Sequence, residues 1–211
     1  MADHSTLAPA PRTVAERRTS PAEHLAALFE AAEVTGPRAV RLREERYVAM
    51  VGVRIAPTAP ERGELEARLG TALPGRCGAV STGDDVAVLW LSPDEFLVLS
   101  DVVEAERLTE RLAPALPGSA TAVVDLSANR ATFLLEGPSA RKVLEKGCPL
   151  DLHPRVLEAG TAYVTNLGRV PVILQKTGEE AYRVMPRASF ADFLGRWLVD
   201  AMAEFKAPGL T

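Results

Sequence analysis

Only two cysteines occur in the 211 residues, Cys77 and Cys148, and neither stands in a C-x-x-C pair. Two thiols so far apart do not form the disulfide framework of a secreted domain, so the expectation is a chain kept in a reducing cytoplasm. Histidine is scarce as well. His4, His24 and His153 have no second histidine or cysteine at metal-ligand spacing, which argues against a zinc or iron centre. No apolar run approaches the ~20 residues that span a bilayer, and the N-terminus lacks the continuous hydrophobic stretch of a signal peptide. Aromatics make up 5% of the chain and are not interleaved with basic residues in the manner of single-strand binders. The net charge of -4 comes from 24 Lys plus Arg against 28 Asp plus Glu, spread along the chain, so neither nucleic acid nor an anionic membrane is an expected partner. There is no G-x-S-x-G elbow, P-loop or G-x-G-x-x-G fingerprint, hence no recognisable cradle for flavin or nicotinamide.

What is present is an ordinary balance for a folded protein, 47% apolar and 25% charged. Residues 1–19 are rich in Ala, Pro, Ser and Thr without periodicity and read as a flexible arm. Ser20-Pro21-Ala22-Glu23 has the form of a capping box, followed by Leu25, Leu28, Phe29 and Ala32 at helical spacing. From Tyr47 a pattern runs twice. First come a strand at 47–55, a helix at 60–69, a hairpin of strands 86–91 and 95–99, and a helix at 101–112 capped by Asp101 with Glu104. Then come a strand at 130–135, a helix at 138–146, strands 170–175 and 181–185, and a helix at 189–205 begun by Ser189. Strands near 40–42 and 161–166 decorate the pattern. The expected fold is α+β: pseudo-duplicated strand-helix-strand-strand-helix units with two antiparallel sheets, each covered by helices on one face. The halves are placed at 20–117 and 118–211, within one compact unit. Phe190, Phe193, Leu194, Trp197, Leu198, Ala201 and Phe205 form a wide apolar stripe on the last helix, suited to the chain's own sheet or to a partner.

Three places warrant chemical reading. In Asp125-Leu126-Ser127-Ala128-Asn129-Arg130, the Asp and Ser either bind a ligand or end a strand by bonding nearby backbone. Asp125, Asn129 and Arg130 are the candidate remnants of a ligand site. Glu136-Gly137-Pro138-Ser139-Ala140 either lets a ligand approach helix-end N–H groups or simply turns strand into helix. In Lys146-Gly147-Cys148-Pro149, a thiol beside a cation could be activated, yet Lys, Gly and Pro in this order also stop a helix.

Taken together, these segments resemble a known family. Asp125-Leu126-Ser127 followed by Phe133-Leu134-Leu135-Glu136-Gly137-Pro138-Ser139-Ala140 resembles the folate-dependent aminomethyltransferases, whose pattern is D-x-S-H, a strand, then G-P-x-A. Lys146-Gly147-Cys148-Pro149-Leu150-Asp151-Leu152 is similar to a stretch of sarcosine oxidase gamma subunits. So are Leu89-Trp90-Leu91-Ser92-Pro93-Asp94-Glu95-Phe96 and Arg187-Ala188-Ser189-Phe190-Ala191-Asp192-Phe193-Leu194 with Trp197-Leu198.

The resemblance covers about 47–205 and implies an aminomethyltransferase-like, folate-binding-domain-like fold. It implies a heterotetramer with alpha, beta and delta subunits that oxidatively demethylates sarcosine, passing the methyl carbon to tetrahydrofolate on alpha. FAD, FMN and NAD would sit on alpha and beta and zinc on delta, with no cofactor, metal or catalytic residue in this chain. Two departures agree with that role: Ala128-Asn129 stands where the transferases place His, and Pro149-Leu150-Asp151 replaces the aromatic-x-G-Q-E of folate-fold maintenance proteins. The alternatives are a subunit of a related complex acting on another N-methyl amino acid such as N-methylglutamate, a free-standing folate-dependent one-carbon transferase, and a maintenance factor.

Overall fold

The structure, a computed structural model, describes residues 18–118 and 121–206. Its elements are α1 (Ala26–Ala32), β1 (Arg41–Glu44), β2 (Ala49–Arg54), α2 (Arg62–Leu69), β3 (Gly78–Thr82), β4 (Ala87–Ser92), β5 (Glu95–Ser100), α3 (Ala105–Leu112), β6 (Ala122–Asp125), β7 (Phe133–Glu136), α4 (Ala140–Glu145), β8 (Thr161–Leu167), β9 (Val170–Gly178), β10 (Ala181–Pro186) and α5 (Ala191–Met202). Short 3-10 turns precede α1 and α5 and follow α3 and α5.

The strands form one antiparallel sheet of 10 in the order β1-β7-β10-β9-β8-β3-β4-β5-β2-β6. The two sheets expected from the sequence are therefore the halves of one curled sheet, joined where Gly78 and Ala79 of β3 pair with Ala162 and Thr161 of β8. The order is symmetric about that seam. β3, β4, β5 and β2 correspond to β8, β9, β10 and β7, and the doubled pattern seen in the sequence is this symmetry. The two outermost strands are exchanged: β1 precedes β2 in the chain but pairs with β7, and β6 precedes β7 but pairs with β2.

Strand alternation builds the layers, because successive side chains point to opposite faces. Phe96 and Val98 of β5 join Val51, Leu65, Leu69, Leu108 and Leu112 in a core under α2 and α3. Leu97 and Leu99 face the other way, meeting Met50, Leu89, Ile173 and Met185 between the half-sheets. Leu174, Val184, Phe133 and Tyr182 then pack beneath α1, α4 and α5 with Leu194 and Leu198. The result is helix, sheet, sheet, helix, with an apolar seam in the middle.

Local chemistry differs from the sequence reading at three helix starts. Ser20 is not an N-cap: its hydroxyl donates to Glu44 Oε2 (2.6 Å), and Glu44 Oε1 accepts the Ala22 N–H (2.9 Å). The carboxylate that satisfies this turn comes from β1, 24 residues away, while Glu23 pairs with Arg46. Asp101 does not cap α3, which begins at Ala105; it bonds to Arg183 instead (2.9 Å). Ser189 makes no side-chain cap, and Asp192 pairs with His24 and Arg196. Two strands, β3 and β6, were not delineated in the sequence reading.

Candidate functional site

The loop after β6 crosses from one half-sheet to the other, and its polar groups make that crossing. Asp125 Oδ1 accepts the Ser127 N–H (2.8 Å), which closes a turn at the strand end. The Leu126 N–H donates to Met50 O (2.7 Å), and Ser127 Oγ accepts the Met50 N–H (3.0 Å), holding the loop to β2. On the far side Asn129 Oδ1 accepts Arg187 Nη1 (2.8 Å), Asn129 O accepts the Ala188 N–H (2.9 Å), and Arg130 Nη1 donates to Met185 O (3.0 Å). Each of the three candidate residues thus spends hydrogen-bonding capacity on local backbone or on the end of β10. Burial, helped by the nearby Arg187 charge, holds the Arg130 guanidinium below its ordinary pKa.

The structure does not gather the three around one opening. Arg130 lines a cleft of about 150 Å³ with Ser20, Glu44, Glu45, Arg46, Tyr47 and Thr132. Asp125 borders an adjoining groove of about 580 Å³, which shares Arg18, Arg46, Tyr47 and Ser127 with that cleft and adds Asp101, Glu104 and Glu106. Asn129 is turned onto Arg187. Tyr47 stands between the two openings in a left-handed conformation (φ 61°) that is uncommon for a non-glycine residue. Its hydroxyl donates to Arg18 O (2.8 Å), and the Arg18 guanidinium lies 4.8 Å from the ring centroid, which ties the entering chain down.

The sequence reading missed Glu44, Glu45 and Tyr47. Their only signal is the charge run Arg43-Glu44-Glu45-Arg46, which looks like a solvated face. In the fold the Glu44 side chain is only 5% exposed, and Glu45 is held by Arg183.

At the second place, Gly137 has φ 114°, and an added Cβ would lie 2.6 Å from Ala39 O. The glycine is needed for close packing of two chain segments. The helix that follows, α4, has only 6 residues.

At the third, Cys148 packs against the α4–α5 core, and burial raises its thiol pKa above 9.0, opposite to activation. Lys146 points away from the thiol, bonding to Ala201 O, pairing with Glu204 (3.1 Å) and lying 5.1 Å from the Phe205 ring centroid. Gly147 and Gly168 make room for Trp197: a Cβ on Gly147 would sit 2.7 Å from the indole.

Among the described residues no group of His, Cys, Asp or Glu could hold a metal ion, and no helix is long and apolar enough to cross a membrane. His24 bonds Asp192 (2.7 Å); His4 lies outside the described residues, as does most of the expected arm, 1–17. On α5 the stripe divides. Leu194, Leu198, Ala201 and Phe205 are buried, Trp197 is half-buried, and Phe190 and Phe193 are exposed.

Comparison with known proteins places the chain among its relatives. A family model described as sarcosine oxidase, gamma subunit family, matches residues 61–204. The sarcosine oxidase subunit gamma of Corynebacterium sp. (strain U-96) is 48% identical over 192 residues, 90% of this chain and 92% of that one. The subunit of the same name from an Arthrobacter sp. is 45% identical over 192 residues, 90% of this chain and 93% of its own. A chain of the heterotetrameric sarcosine oxidase from Corynebacterium sp. U-96, in complex with pyrrole 2-carboxylate, superposes with TM-score 0.88 at 46% identity, covering 92% of this chain and 100% of that one. The glycine cleavage system aminomethyltransferase T of Bartonella henselae shares the fold, with TM-score 0.62 at 16% identity over 86% of this chain and 57% of its own.

Proposed function

This chain belongs to the sarcosine oxidase gamma subunit family, and from that premise we propose that it is the non-catalytic, assembly-forming gamma subunit of a heterotetrameric sarcosine oxidase. The observation that carries this reading is near-complete likeness at high identity to gamma subunits, combined with polar groups that are committed to holding the fold. The complex oxidatively demethylates sarcosine, passing the methyl carbon to tetrahydrofolate on the alpha subunit. FAD, FMN and NAD are held by alpha and beta and zinc by delta, and the assembly works in the cytoplasm.

Tetrahydrofolate is the one group the fold itself suggests for this chain, and the residues fit it poorly. Asp125, Asn129 and Arg130 already bond to Ser127, Arg187 and Met185; Arg130 and Asp125 border two adjoining openings and Asn129 lines neither. The space between the half-sheets is filled by Met50, Leu89, Leu97, Leu99, Ile173 and Met185. No step is assigned to folate here. Cys148, with its thiol pushed toward the neutral form, is no better suited to nucleophilic work.

A subunit of this kind contributes surface. Obligate interfaces commonly bury ~2,000 Å² or more in total. The direct test is co-expression with the alpha, beta and delta subunits from one operon and purification through a tag on beta. The chain is expected to co-elute in fixed stoichiometry through size exclusion. A chain that purifies as a well-behaved monomer and stays apart from those subunits would overturn the reading.

A further inference from the structure

The two ends of the sheet are equivalent under the pseudo-symmetry, yet they are finished differently. β1 reads Arg-Leu-Arg-Glu, with Arg41 and Arg43 paired to Glu33 and Glu136. Immediately before it, Val40 exchanges both backbone hydrogen bonds with Val34, and α1 packs over the strand through Phe29 and Leu42. Charge and cover of this kind are how proteins blunt an edge strand. β6 reads Ala-Val-Val-Asp, with no lysine, arginine, proline or bulge. Its inner face packs under α3 through Val123, but among the described residues it has a strand neighbour on one side only, β2, and Val124 on the other face is 50% exposed.

The C-terminal end of β6 runs into the larger groove. Its rim carries Asp101, Glu104, Glu106 and Asp125 against Arg18 and Arg46. Asp101 is bonded to Arg183, and Arg46 to Glu23 and Glu44. That leaves Glu104, Glu106 and Asp125 without a salt bridge among the described residues, against the single cation Arg18, so the rim keeps an excess of negative charge. Val102, on the same rim, is 77% exposed. An open strand edge with an exposed valine, ending in an excess of carboxylates over cations, is complementary to an extended segment that is apolar along its length and basic at one end.

We propose that β6 and the acidic groove at its end receive an extended, lysine- or arginine-bearing segment of another subunit of the heterotetramer. That segment adds an eleventh strand, covers Val124 and neutralises Glu104, Glu106 and Asp125. The assignment rests on membership of the complex as read above and adds where on this chain a partner docks and what it carries. Main-chain bonds along the edge supply attachment, and the carboxylates fix direction.

The test uses the full chain and the assembled complex. Val124→Arg, and separately Glu104→Lys with Glu106→Lys, are expected to lower retention of the chain in the tagged complex about tenfold, as loss of a central interface contact does. Val164→Arg on β8, at a position 58% exposed, serves as the control and is expected to leave retention unchanged. Because a variant can fail for reasons of folding, backbone amide exchange provides a second reading. The Val123 and Asp125 amides, which by strand alternation point away from β2, should exchange at least about tenfold more slowly in the wild-type complex than in the free chain, as newly formed ladder bonds require.

A complex that forms with β6 amides exchanging as in the free chain overturns the docking assignment and leaves the subunit reading standing. Protection already present in the free chain, and lost on deleting residues 2–17, also overturns it, since the occupant is then this chain's own N-terminal segment. A wild-type chain that never joins the complex defeats both readings.

Discussion

Arg183 grips Glu45 with both prongs of its guanidinium, Nε 2.6 Å and Nη2 2.7 Å from the two carboxylate oxygens. Nη2 also donates to Asp101 at 2.9 Å. Glu45 lies between β1 and β2, Asp101 follows β5, and Arg183 belongs to β10, so one side chain ties together both half-sheets. Burial would lower the Arg183 pKa, but hydrogen bonds and charge from Glu45 and Asp101 outweigh it and raise it.

The two carboxylates are not worth the same. Arg183 and Glu45 side chains are 12% and 20% exposed, whereas Asp101 is 54% exposed. Glu45→Gln leaves a desolvated cation half-paired and should cost about 3 kcal/mol. Asp101→Asn removes a screened partner and should cost less than about 1 kcal/mol. Thermal or urea unfolding of the full chain checks the ranking; equal costs would show that Glu45 is not the principal partner.

Gly147 and Gly168 both lie beneath the Trp197 indole, where an added Cβ would come within 2.7 Å and 2.9 Å of it. Gly147 is further hemmed by the Gly168 nitrogen at 2.9 Å, so the indole cannot relieve the clash by moving alone. Gly147→Ala should therefore destabilise by about 1–3 kcal/mol, the usual cost of overpacking. Trp197→Phe in the same chain should recover only part of that loss. Full recovery would mean that the backbone contact carries no cost.

The half-buried Cys148 and the buried Tyr182 set an alkaline limit. Burial raises the Cys148 thiol above 9.0 and the Tyr182 phenol above 10.0. For each, the unfolded chain loses its proton first, so the stability contributed is complete below the unfolded pKa and disappears as pH rises through the folded one. Unfolding free energy should hold to about pH 8.5 and fall above it. Cys148→Ala should flatten the first part of that fall. At neutral pH, exposed Cys77 should be alkylated by iodoacetamide well before Cys148. Faster labelling of Cys148 would contradict its half-buried, neutral thiol.

On the acid side, Arg111 holds Asp85 below the usual carboxylate range, chiefly through a two-pronged hydrogen bond at 2.7 and 3.2 Å. A depressed carboxylate contributes stability above its unfolded pKa of 3.8, and that contribution is lost as pH falls through the folded value. Asp85→Asn should lower stability at pH 7 and leave it little changed at the acid end. A uniform offset at all pH values would point to packing as the cause.

Much of the fold can be read from the chain because local and global signals agree. Ser92-Pro93-Asp94 between two apolar runs gives the β4–β5 hairpin, and Leu194, Leu198 and Ala201 give the buried face of α5. The seam strand β3, Gly78–Thr82, is short and built of small residues with Val80 its one larger apolar side chain, and it is made a strand by β4 and β8 on either side. Likewise, Ser20 and Asp101 have the side chains of caps, yet each finds a stronger charged partner, Glu44 or Arg183, far along the chain. Sequence spacing cannot report such pairs. The candidate residues Asp125, Asn129 and Arg130 were visible as polar groups at a strand end, but their separation depends on the crossover geometry.

The role proposed for this chain is to contribute surface and structure to a sarcosine oxidase, and no chemistry. Sarcosine turnover per assembled complex tests it most directly, using Asn129→Ala and Cys148→Ala chains and counting only complexes of full stoichiometry. Turnover equal to wild type, within about twofold, is the result the non-catalytic reading predicts, since Asn129 is bonded to Arg187 and Cys148 packs against the α4–α5 core. Full assembly with turnover lowered a hundredfold or more, about 2.7 kcal/mol of transition-state stabilisation, would contradict the account.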